Sequence, residues 1–95
     1  MEPEIINNPA AHKFETTVEG KTAFIQFKLR GDVMTVLHTI VPEELEGRGL
    51  AAAMSTHVLK YLEAEKMQLV PLCPYMLAFL KKHPAYQHLV KNKLV

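Results

Sequence analysis

Two glycines one residue apart, Gly47 and Gly49, separate a strand-like apolar run that stops at Pro42 from a helical pattern that starts near Gly49. Glycine reaches positive φ without steric cost and lets a ligand come close to the backbone. The first amides of a helix have no partner inside it and point outward. The two features together make an anion site suited to a diphosphate. Turn formation alone is the other explanation of the same spacing. Arg48 adds positive charge there, and Glu43, Glu44 and Glu46 add negative charge. The segment is not a Walker loop, which needs Gly-Lys-Ser/Thr, and it falls short of a dinucleotide fingerprint.

Cys73 is the second residue with chemical potential. It directly precedes Pro74, where a short strand gives way to another helix. A helix start makes a thiolate more available. Cys73 is therefore either a nucleophile or a small buried hydrophobe, the commoner fate of a lone cysteine. His38 lies on the apolar strand before the glycines, as a general base or a hydrogen-bonded core residue. His57 falls on the packed stripe of the first helix, and His83 closes the second. The histidines are scattered, and no cysteine pair or His-Glu-x-x-His array occurs, so no metal site is expected. Ser55, the single serine, sits within a helix and gives no support for a Ser-His-Asp triad.

These residues need elements to hold them. Residues 1–10 read as a loose lead-in with a turn at Asn7, Asn8 and Pro9. From His12 apolar and polar residues alternate, and Glu19-Gly20 marks a hairpin turn. In residues 22–30, Ala23, Ile25, Phe27 and Leu29 share one face, the pattern of a half-covered antiparallel strand. Residues 33–41 are apolar on both faces, which predicts a central strand covered on both sides. Leu50, Ala53, Met54, His57, Val58, Tyr61 and Leu62 recur at helical spacing. Residues 68–72 form a short buried strand. A helix with Pro74 in its first turn follows and stops before Pro84, and a short last helix runs through Tyr86, Leu89 and Val90. The expected order is β-β-β-α-β-α: an α/β (α+β) fold with an antiparallel three-strand meander, one parallel strand reached by a crossover, and two main helices.

The chain has 95 residues, 48% hydrophobic and 22% charged, with a formal net charge of +1. A single domain over residues 1–95 is expected. No basic stripe suggests nucleic acid, no apolar run suggests a membrane span, and the first residues do not suggest a secretory signal. One cysteine rules out an internal disulfide framework, so a cytoplasmic setting is the simplest expectation. A small domain with an exposed strand edge is expected to be a monomer or a weak homodimer.

The stretch His38-Thr39-Ile40-Val41-Pro42, followed by Glu46-Gly47-Arg48-Gly49-Leu50-Ala51, resembles the acetyl-CoA-binding motif of the GNAT acetyltransferase superfamily, Gln/Arg-x-x-Gly-x-Gly/Ala. Here the motif starts at Glu44, which departs from the pattern. Val70-Pro71-Leu72-Cys73-Pro74-Tyr75, together with Lys82-His83-Pro84-Ala85-Tyr86, is similar to the very short members of that superfamily. The resemblance spans residues 12–89 and implies a minimal GNAT-like fold without the terminal elements that help larger members form the acceptor pocket.

By resemblance, the backbone of Thr39, Ile40 and Val41 pairs with the pantetheine arm of acetyl-CoA. The amides of Leu45, Glu46, Gly47, Arg48, Gly49 and Leu50 hold the pyrophosphate, with Ala51 ending the motif. The thioester ends near Cys73, which then accepts acetyl before passing it on; direct transfer is the common route in larger members. The tyrosine that larger members use as acid is replaced by Leu80, and Tyr75 is its substitute or a packing residue. The implied function is an N-acetyltransferase acting on an amine, with acetyl-CoA as co-substrate. The alternative is a non-catalytic acyl-CoA-binding or protein-interaction module.

Overall fold

The structure is a computed structural model that describes residues 4–91. Among these residues one five-stranded sheet, in the order β1-β2-β3-β4-β5, carries the helices on one face. Its strands are β1 (Ile6–Asn8), β2 (Lys13–Val18), β3 (Lys21–Arg30), β4 (Val33–Ile40) and β5 (Gln68–Pro71), and its α-helices are α1 (Leu50–Glu65) and α2 (Pro74–Lys82). β1 to β4 run as an antiparallel meander, and β5 joins β4 in parallel after α1. The mixed architecture is the expected one. The meander gains a fourth strand, because Ile6–Asn8 pairs with β2 inside the segment expected to be a loose lead-in. Three residues without a full apolar alternation leave little periodicity to read. The single-domain expectation extends to residues 1–3 and 92–95, which lie outside the described residues.

The period-2 pattern becomes the core directly. Phe14 and Thr16 on β2, Ala23, Ile25 and Phe27 on β3, and Met34 and Val36 on β4 are all buried against the helices. Phe14 is the hub. Its ring lies 5.3 Å from Phe27 and meets Tyr61 and His57 of α1 edge-on at 5.4 and 5.7 Å. Leu29, expected to share the packed face, is 47% exposed because it lies toward the strand's end, past the last buried position.

α1 buries Leu50, Met54, Ser55, Val58, Leu59 and Leu62. The stripe is rotated from the expected one: His57 is exposed and touches Phe14 only at its edge, while Ser55 and Leu59 turn inward. α1 packs against α2 and Pro84–Leu89 as well as the sheet, which draws the stripe round. Lys66 ends α1 in the left-handed conformation at φ 57°. The amide of Met67 then donates to the Leu62 carbonyl at 2.9 Å, closing the helix end. The expected last helix is a 3-10 segment, Pro84–Leu89, and His83 caps α2 as expected.

β4 is not covered on both sides. On the face away from the helices, Val33, Thr35 and Leu37 are only half-buried and His38 is exposed. The fold has two layers, so an apolar pattern on both faces here reflects a sheet surface without a second helical layer.

Candidate functional site

The site is built where β4 outruns β5. β5 pairs only with Val33 to Val36, and its last contact is the Leu72 amide donating to the Val36 carbonyl at 3.0 Å. The chain then turns into α2. Beyond Val36, β4 continues to Ile40 paired with β3 alone. Its other edge therefore faces a gap among the described residues.

A bulge re-aims this last part of β4. Phe27 pairs with Val36 and Gln26 with His38, so Leu37 is the extra residue. Residues paired across strands share a face, and an inserted residue reverses the alternation that follows. Thr39, opposite buried Ile25, thus joins the helix-covered face. His38, opposite Gln26, goes to the other. Without the bulge the two would exchange places.

After β4, Glu43–Leu45 makes a 3-10 turn and Leu45 drops into the core at 1% exposure. Gly47 and Gly49 both adopt left-handed backbone, φ 82° and 78°. A Cβ at either would meet nothing within 4 Å. The glycines are therefore required by the backbone path, not by crowding. Gly49 caps α1, and its carbonyl accepts the first helical bond, from Ala53 at 3.0 Å. The amides of Leu50, Ala51 and Ala52 come before that bond and face outward without helical partners.

Loop, β4 end and helix start enclose a cleft of ≈ 490 Å³. Thr39, Ile40, Val41, Leu45, Glu46, Gly47, Gly49, Leu50 and Ala51 line it, together with Ala52 and Tyr75. Every residue expected to hold the cofactor is there except Arg48. Its guanidinium donates to the Glu19 carboxylate at 3.1 Å. That hydrogen bond, and then the charge of Arg48, hold the Glu19 carboxyl below its ordinary value. Glu44 is likewise engaged, with Lys21 at 3.2 Å. Both partners belong to the β2–β3 hairpin, which sequence reasoning did not connect with the loop. Local patterning carries no signal for a pair 29 residues apart.

The three residues expected to act chemically are dispersed. Cys73 is 3% exposed, lies outside the cleft lining, and shares a 3.2 Å hydrogen bond with the Thr39 hydroxyl. One side chain, that of Thr39, thus connects the thiol to the cleft. Tyr75 lines the cleft, with its ring 6.2 Å from that of Phe79, and burial pushes its phenol above the ordinary value. His38 is exposed on the opposite face of the sheet and is not the core residue that was one of its two expected roles. Among the described residues no group of three or more His, Cys, Asp or Glu stands close enough to hold a metal, and no helix is long and apolar enough to cross a membrane.

A two-layer α+β domain whose one parallel pair ends where β4 outruns β5, with a glycine-turned helix start beside that gap, is compatible with a small N-acetyltransferase-like fold. The sequence profile of the family described as GCN5-related N-acetyl-transferase matches residues 13–89, and the chain belongs to that family. Membership carries a general acetyltransferase role, and the family's domains use acetyl-CoA as co-substrate.

Proposed function

We propose that the protein binds acetyl-CoA in the cleft beside β4 and transfers the acetyl group directly to an amine. The observation that carries this is the coincidence of two features in one cleft. A bare backbone edge at the end of β4 suits the amide-rich pantetheine arm. The outward amides of a helix start, reached through two left-handed glycines, suit its diphosphate.

In the proposed reaction the amine nitrogen attacks the thioester carbonyl, the new C–N bond forms, the C–S bond breaks, and CoA leaves as thiolate. The amine's proton passes to a base and the thiolate ends as thiol. Tyr75 lines the cleft and its phenol carries its proton through the neutral range, so it is assigned as the donor to the departing sulfur. His38, exposed on the face of the sheet away from the helices, is assigned as the base. Cys73, buried and hydrogen-bonded to Thr39, is assigned to packing, because an acyl acceptor has to reach the thioester and Cys73 does not line the cleft.

Titration calorimetry with CoA and acetyl-CoA tests the site. Wild type should bind both, and Gly49→Glu, still folded by thermal melt, should bind neither. An amine panel with acetyl-CoA then tests transfer. Binding without turnover of any amine would favour a second reading, a non-catalytic acyl-CoA-binding module. The observation that favours it is the separation of His38, Cys73 and Tyr75 over two faces of the sheet.

A further inference from the structure

Arg48 is the one cation inside the glycine turn, and it does not face the cleft. Its neighbours on both sides, Gly47 and Gly49, do line it. The guanidinium instead bonds Glu19, at the tip of the β2–β3 hairpin, at 3.1 Å. Both side chains of this pair are largely in solvent, at 44% and 67% exposure. A pair so exposed is weak, because water and salt screen it. Nothing crowds the backbone around it, since both glycines look onto open space. Glu44 of the 3-10 turn is already taken by Lys21 at 3.2 Å. The Lys21–Glu44 pair joins the same hairpin to the same loop without involving Arg48 or Glu19.

We propose that Glu19 is a positioning residue for cofactor binding: its carboxylate parks Arg48 outside the cleft, and a phosphate group arriving at the loop takes Arg48 over in its place. This rests on the cleft holding the CoA diphosphate. Glu19 and the cofactor's phosphate are then alternative partners for one guanidinium. The exchange favours phosphate because guanidinium binds phosphate oxygens through paired, charge-assisted hydrogen bonds. The amides of the α1 start add positive potential at the same place. Glu19 thus lowers affinity for the cofactor by the strength of the pair that has to be broken.

CoA titrated calorimetrically against wild type, Glu19→Gln, Arg48→Gln and the double variant reads the exchange. Both substitutions are on exposed side chains, and a thermal melt checks folding. Glu19→Gln should tighten CoA about two- to fivefold, the size of an exposed pair, and Arg48→Gln should weaken it about tenfold. In the Arg48→Gln background the Glu19 substitution should change nothing, because no guanidinium is left to release. Equal tightening in both backgrounds overturns the proposal, since it would be the through-space effect of removing a negative charge. Weaker binding in Glu19→Gln also overturns it, since Glu19 would then only brace the loop. Absence of CoA binding by wild type overturns the cleft assignment and this one together, whereas either of the other two failures leaves the cleft assignment standing.

Discussion

Thr39 decides what Cys73 can do. Thr39 lines the cleft, Cys73 does not, and the Thr39 hydroxyl is in hydrogen-bond contact with the sulfur at 3.2 Å. Cys73→Ser keeps a hydrogen-bonding group of similar shape, so turnover with acetyl-CoA should stay within a fewfold of wild type, and mass spectrometry of wild type under turnover should find no acetyl-cysteine. Loss of activity in Cys73→Ser, with acetyl trapped on the wild-type thiol, would replace direct transfer by a two-step route. Tyr75 makes a separate prediction. Desolvation disfavours its phenolate, so absorbance titration should show a tyrosine ionising above the ordinary range, and Tyr75→Phe should remove it. The sequence marked both residues through their neighbours, Pro74 and the strand end. It could not say that Tyr75 lines the cleft while Cys73 is buried against the Thr39 hydroxyl, because that depends on which way two separate elements meet.

The element that matters most is the loop between β4 and α1, pinned at one end by Leu45 and at the other by Leu50. Leu45→Ala should cost about 2–5 kcal/mol in urea unfolding, since it removes a fully buried side chain. Gly47→Ala should cost about 1–2 kcal/mol through backbone strain alone, because its φ of 82° is hostile to a Cβ while the space around it is empty. The hairpin pair adds a pH dependence. The Glu19 carboxyl is lowered in the folded state, so its contribution is present above the unfolded carboxylate's ordinary value and is lost as pH falls through the lowered folded value. The melting temperatures of wild type and Glu19→Gln should therefore differ slightly at neutral pH and converge in acid. The glycine turn was legible because glycine, proline and a helical period are local signals. The bulge at Leu37 was not, because an extra residue in one strand shows only against the strand it pairs with.

At the scale of the molecule, one apolar layer holds a sheet and two helices together. Phe14 touches β3 and α1 at once. Phe14→Ala should cost about 3–5 kcal/mol, a large share of the roughly 5–15 kcal/mol that keeps a domain folded. Guanidinium unfolding should show the midpoint falling while the slope stays constant. The sequence by itself determined the order of the main elements, the packed face of β2 and β3, the glycine turn ahead of α1 and the proline start of α2, because each is written in residues a few positions apart. Tertiary structure alone decided four things. β1 joins the sheet, α1 is rotated to bury Ser55 and Leu59, the bulge sends Thr39 instead of His38 to the helix-covered face, and Arg48 turns to Glu19 instead of the cleft. Each of these depends on a contact between distant segments, where packing and charge choose among arrangements that local patterning leaves equal.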